Sequence, residues 1–201
     1  MRMMFRLCVP AAILLAAGGC SIGSLLGGGA KTPATLLTLE SQAPAPGAVA
    51  RSANAGESVT IEVPIVPKEL RTVRVPAHVG PTAVAYIKDL QWVDTPDRLF
   101  QDLLEETILR TTSRVVLDTK QSSLDPGLTV SGRLTSFGYE AGQGSVLVRY
   151  DAALSTAGGT RVETRRFEAR APADGTASTV GPALNAAANE VAMAVAQWIG
   201  G

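Results

Sequence analysis

Hydrophobic and polar positions change period several times along the chain, and the changes mark its elements. Ser58-Val59-Thr60-Ile61-Glu62-Val63 alternates with period two, the pattern of a strand with one buried face. Pro64 and Pro67 follow; proline cannot donate to a ladder, so this strand ends there or lies at an edge. Lys68 to Val75 is mixed and is closed by Pro76, and Ala83 to Lys88 (AVAYIK) reads as another short strand. Gln91-Trp92-Val93 leads into Asp94-Thr95-Pro96, a helix start: Asp94 or Thr95 can cap free amides, and proline suits the first helical position. Leu99, Phe100, Leu103, Leu104, Ile108 and Leu109 then form a stripe at three- and four-residue spacing, with Asp97, Asp102, Glu105, Glu106 and Arg110 on the other face.

Further strands are predicted at Arg114 to Asp118, Leu128 to Tyr139 and Ser145 to Ser155. In the second, Leu128, Val130 and Leu134 share a face, with Gly132 where packing is close. In the third, Val146, Val148, Tyr150, Ala152 and Leu154 share one. Gly158-Gly159 suits a hairpin turn. Arg161 to Arg170 is a polar strand carrying Phe167 and Ala169 in one phase; its alternation fails at Arg165-Arg166, a bulge or an exposed edge. A second helix runs from about Thr179 to Ile199, with Leu184, Ala188, Val191, Val195 and Trp198 as its stripe and Gly200-Gly201 as its stop. The pattern predicts an α+β fold, an antiparallel sheet of roughly four to six strands packed with two amphipathic helices.

The N-terminal stretch follows a different rule. Arg2 and Arg6 precede an uncharged run, Leu7 to Gly19, that is too short to span ~30 Å of hydrocarbon as a helix and has the length of a signal-peptide core. Small residues Ala16-Ala17-Gly18-Gly19 lead directly into Cys20. This resembles the bacterial lipobox, with Ala17 where leucine is commonest. It implies a signal peptide over residues 1–19, cleavage before Cys20 and lipidation (diacylglycerol, with a further acyl chain such as palmitate) at its sulfur. The alternative is an ordinary secretory signal with Cys20 incidental. One acyl chain holds reversibly, whereas two or three hold firmly. The same resemblance implies sorting to the inner leaflet of the outer membrane, since Ser21 stands where Asp would favour inner-membrane retention. Residues 20–56 carry Gly27-Gly28-Gly29, Pro33, Pro44, Pro46 and Gly47 and read as a tether. Leu36-Leu37-Thr38-Leu39 within it is either a first edge strand or linker. Residues 57–201 form the expected periplasmic domain.

Charge and composition narrow the function. Lys+Arg and Asp+Glu both number 18, and no basic run interleaves with aromatics, which argues against nucleic acid. The two cysteines, Cys8 and Cys20, both precede the domain, and His78 is the single histidine, so no common zinc site, metal or other cofactor is expected. A catalytic role for His78 would need an orienting carboxylate and a nucleophile, and the one Gly-x-Ser-x-Gly-like stretch straddles the cleavage site; a loop histidine is the plainer reading. The acids Asp94, Asp97, Glu105 and Glu106 fit a helix start and a solvated helix face. Trp92 either covers the helix start as a core-edge aromatic or anchors an interface.

The order of elements is itself recognisable. Ile61-Glu62-Val63-Pro64-Ile65-Val66-Pro67, then Glu69-Leu70-Arg71, Tyr86-Ile87-Lys88 and Gln91-Trp92-Val93-Asp94-Thr95-Pro96 before a leucine-rich helix, resemble the ABC-type transport auxiliary lipoproteins, including the paraquat-inducible C lipoprotein. The likeness spans about Leu36 to Ile199. The resemblance implies a non-catalytic lipoprotein on the periplasmic face of the outer membrane. Its expected partners are an MCE-type substrate-binding protein, an ABC permease and an ATPase that together move lipids or hydrophobic compounds. Of the functional residues only Cys20 carries over. The expected docking surfaces are the Trp92 region and the edge strand near Phe167. The rival expectation is a stand-alone lipid-binding carrier or outer-membrane assembly factor, with an apolar cavity between sheet and helices.

Overall fold

The computed structural model describes residues 35–45, 50–125, 127–156 and 161–200. Seven strands and two helices follow in the order β1 (Val59–Ile61), β2 (Arg74–Gly80), β3 (Ala83–Gln91), α1 (Pro96–Thr111), β4 (Val116–Leu117), β5 (Leu128–Glu140), β6 (Ser145–Ser155), β7 (Val162–Pro172) and α2 (Ala177–Gly200). The α+β class and the two helices are as expected. The sheet is not: it has seven strands rather than four to six, and it is mixed rather than antiparallel.

Strand β5 organises the sheet. One edge carries β6 and then β7, both antiparallel, over nearly its whole length. The other edge is shared: β1 runs parallel to its start (Val59 opposite Leu128) and β2 parallel to its end (His78 opposite Glu140). β4 pairs parallel outside β1, and β3 antiparallel outside β2. Alternation along a sequence reports which face is buried but not strand direction, so period two could not reveal these parallel pairings. The long connection that parallel neighbours require is present, because α1 and its flanking loops lie between β2 and β5. Between β1 and β2 the chain keeps to the same edge: Glu62 and Ile65 donate to Val130 and Gly132 carbonyls, both at 2.9 Å, and Pro64 falls between those donors without losing a bond.

The two faces of β5–β6–β7 sort by register. Leu134, Tyr150 and Phe167 align on the helix-facing side, as do Phe137, Val148 and Ala169. Arg133, Asp151 and Arg166 align on the opposite side, where Arg166 bonds Asp151 at 2.6 and 2.9 Å and Arg149 bonds Glu168 at 2.7 Å. Under the helices an aromatic chain forms the centre of the core. Trp92 meets Phe137 at 5.5 Å, Phe137 meets Phe100 at 6.4 Å, and Phe100 meets Tyr150 edge-on at 5.3 Å. Gly132 is the close approach expected of it, since a Cβ there would lie 2.7 Å from the Tyr150 ring. The α1 stripe is buried at Leu99, Phe100, Leu103, Leu104 and Ile108. Thr95 is the residue before the first helical turn, but its hydroxyl makes no capping bond. Gly158 and Gly159 lie outside the described residues, although the antiparallel pairing of Ser155 with Val162 makes β6 and β7 a hairpin.

Candidate docking surfaces

Residues 37–43, placed in the tether by composition, bond throughout to the folded body. Leu37 forms a parallel bridge with Trp92: its amide donates to Gln91 O, and Val93 donates to Leu37 O, both at 2.8 Å. Glu40 donates to Asn185 Oδ1 at 2.9 Å and Gln42 to Asn189 Oδ1 at 2.7 Å, while Asn189 Nδ2 donates to Glu40 O at 2.8 Å. Arg110 donates to Ala43 O at 2.9 Å. The segment is therefore a strap laid along α2 and touching α1. One signal in the sequence could have located it. Asn185 and Asn189 lie four apart in a helix otherwise rich in alanine and valine, and a buried amide needs a backbone partner.

Cys20 and the signal segment lie outside the described residues. Trp92 is 1% exposed and belongs to the core, and its Nε1 has no hydrogen-bond partner. The surface in its neighbourhood comes instead from Val93 and Leu36, both exposed beside the strap. Phe167 is also buried, at 6% exposure, against Trp198 at 5.5 Å. Its surroundings form a shallow groove of about 360 Å³ between β7 and α2, lined by Arg165, Arg166, Glu190, Ala194 and Trp198. Arg165 lies over the Phe167 ring at 5.4 Å, and Trp198 Nε1 donates to Glu163 at 3.3 Å. Among the described residues β7 pairs only with β6, so its outer edge offers open backbone groups beside these arginines. The structure thus keeps Trp92 and Phe167 apart and inside, and exposes their neighbours.

The remaining candidates are structural in setting. His78 lies on β2 rather than in a loop, and its Nδ1 meets Glu140 Oε1 at 2.7 Å. Glu106 pairs with Arg110 at 2.6 Å on the helix surface. Glu105 differs from that solvated reading: it is half-buried, and burial followed by the nearby Asp102 carboxylate raises its carboxyl to about 7, against the opposing hydrogen bond from Gln101. At the helix C-termini, Arg51 donates to Leu109 O and Thr112 O, and Arg114 donates twice to Ile199 O, at 2.9 and 3.1 Å. The cations thereby satisfy carbonyls that have no partner within their helices. A cleft of about 680 Å³ between these ends is lined mostly by polar groups, among them Ser52, Glu57, Thr112 and Gln197. No group of three or more metal-binding side chains occurs among the described residues.

Residues 37–196 match the family described as the ABC-type transport auxiliary lipoprotein component. The chain belongs to that family. Its strap begins where the match begins, at Leu37, so the family's domain includes the strap. Among solved structures, protein XCC0632 of Xanthomonas campestris, from the DUF330 family, is similar in fold. Its identity is 15%, its TM-score 0.62, and the alignment covers 85% of this chain and 94% of that one. A second, uncharacterised protein aligns with a TM-score of 0.58 at 16% identity, over 73% of this chain and 94% of its own. No curated protein matches the sequence. As a member of this auxiliary lipoprotein family, the chain is a transport-associated lipoprotein of the cell envelope. None of its helices among the described residues is long and apolar enough to cross a membrane.

Proposed function

We propose that this auxiliary lipoprotein is held by acyl chains on Cys20 at the periplasmic face of the outer membrane and serves as a non-catalytic docking module. Its partners are an MCE-type substrate-binding protein with its ABC permease and ATPase, and the cargo is lipid or another hydrophobic compound. The observation that carries this reading is the family match over residues 37–196, with a lipobox-like sequence ending at Cys20 upstream of it. The open edge of β7, with the Arg165–Trp198 groove beside it, is the docking surface with unpaired backbone and exposed cations. The rival carrier reading needs an apolar cavity between sheet and helices; Trp92, Phe137, Phe100 and Tyr150 occupy that space.

The test is co-purification of the membrane-extracted protein with an MCE-type protein from the native envelope. Recovery of that partner, reduced at least tenfold by Arg165→Glu with Arg166→Glu, supports the assignment. Absence of any MCE-type protein from the purified complex overturns it.

A further inference from the structure

The end of the sheet formed by the β2–β3 hairpin differs chemically from the rest of the surface. From Val79 to Tyr86 the sequence is Val-Gly-Pro-Thr-Ala-Val-Ala-Tyr, with no ionisable group before the tyrosine. Val79 is 56% exposed and Val84 46% exposed, and Pro81, Thr82, Ala83 and Ala85 are exposed with them. β2 leaves β5 at Glu140, so this tip projects past the end of β5, beside the turn Ala141–Gln143. Neither that turn nor Gly144-Ser145 carries a charge, and Pro172 and Ala173 from β7 close the same end. The ionisable groups nearest the tip are engaged by neighbours: His78 Nδ1 meets Glu140 at 2.7 Å, and Asp174 accepts from Thr176 and Thr179.

The described strap enters the fold from this same direction. Leu37 bridges Trp92 in parallel, so Leu36, just before it, lies on the side of Gln91 and Leu90, toward the tip. The strap gives the same sense independently. Leu37 packs at Gly181, early in α2, and Glu40 and Gln42 then meet Asn185 and Asn189 in order along the helix. Because α2 begins next to the end of β7, and β7 ends opposite Ser145, the beginning of α2 is at the tip end of the sheet. Residues 21–36 bridge at most about 55 Å even when fully extended.

We propose that the β2–β3 hairpin tip, with Val79 and Val84 foremost, rests in the lipid surface that carries the acyl chains. The proposal rests on the lipidation of Cys20 and adds an orientation to it. Two exposed valines would bind a bilayer only weakly by themselves. A covalent anchor on the same side raises their effective concentration at the membrane to the millimolar range, where weak contacts persist. The tip itself, Val79 to Ala85, has no ionisable side chain, so its entry drags no ion out of water.

The experiment uses the full lipidated protein, reconstituted into vesicles of phosphatidylethanolamine and phosphatidylglycerol. A polarity-sensitive NBD dye is placed at Val84→Cys and, separately, at Val162→Cys. Val162 is 62% exposed at the opposite end of the sheet, roughly 35 Å from the tip by strand register. Cys20 is acylated in this material and Cys8 is removed with the signal, so each variant has one free thiol. The expected result is a blue-shifted emission at position 84, quenched at least threefold more by lipid-borne quenchers than at 162, and returned toward the value at 162 by Val79→Asp. Equal emission and quenching at both positions, in protein that floats with vesicles, overturns the orientation and leaves the anchor standing. A blue shift that requires added envelope protein overturns it in favour of a protein contact. Protein that does not float at all overturns the anchor, and the orientation with it.

Discussion

The two ends of the sheet handle charge in opposite ways. At one end both helices finish, and Arg51 and Arg114 turn inward to bond their last carbonyls, with Glu57 and Asp125 in the adjoining loops. At the other, α2 begins, three short connections meet, and the β2–β3 tip exposes valine, alanine, glycine, proline and threonine, with Asp174 the exposed carboxylate near the start of α2. The difference follows from helix polarity. Helix C-termini concentrate partial negative charge and attract cations, while a helix start favours carboxylates and hydroxyls; here Asp174 accepts from the amide and hydroxyl of Thr176, just before α2. An end relieved of cations is free to be apolar.

Substitutions at the anchor, the shared core and the two ends should differ widely in effect. The largest effect is expected from Cys20→Ser: on the proposed anchoring, the protein moves entirely from the membrane to the soluble fraction, as read by flotation. Next is Phe137→Ala, which removes the ring joining Trp92 to Phe100 in the core both ends share; denaturant unfolding should show a loss of about 3–5 kcal/mol. At the cationic end, Arg114→Ala leaves Ile199 O without its two donors and should destabilise by about 1–2 kcal/mol, with fraying confined to the last turn of α2 by amide exchange.

Two acids titrate in opposite senses. Glu105 has its folded pKa raised to about 7 from 4.5, so the folded state holds its proton more tightly than the unfolded one. Stability therefore falls as pH rises from about 4.5 to 7, and Glu105→Gln should remove roughly 1 kcal/mol of that fall, allowing for screening at a half-exposed site; pH-dependent melting checks it. Asp174, held at about 2 by bonds from Thr179 and Thr176, contributes stability above pH 3.8 that is lost as pH drops toward 2. The smallest stability effect belongs to Val79→Asp. It adds a charge to the apolar end and should shift unfolding by no more than about 0.5 kcal/mol, so any change in membrane behaviour is separable from folding.

How much of this was legible varied by element. The stripe of α1 and the inward set Val146, Val148, Tyr150 and Ala152 of β6 follow from periodicity alone, because each segment has one wet and one dry face. The pairing of β1 and β2 with a single edge of β5 did not, since parallel partners leave no trace in period two. The strap was half visible: Leu36–Leu39 could be read as an edge strand, and Leu37 does bridge Trp92, but Ser41, Gln42 and Ala43 have the composition of a linker and are held largely through backbone groups. Trp92 and Phe167 were recognisable as large apolar groups, but whether such a ring faces inward depends on tertiary neighbours such as Phe137 and Trp198. Cys20 is different again: its lipobox-like context is a local sequence signal, and Cys20 lies outside the described residues.

The asparagine clamp on the strap has a mechanical meaning for an anchored protein. On the proposed anchoring at Cys20, the leash from the sulfur would end at Leu37, where the chain bridges Trp92, instead of at Ser58, where the sheet starts. Its contour would then be limited to ~60 Å rather than ~125 Å. Asn185 and Asn189, which hold Glu40 and Gln42 just behind that bridge, would keep the shorter leash from peeling open and so confine the domain to about half the radius.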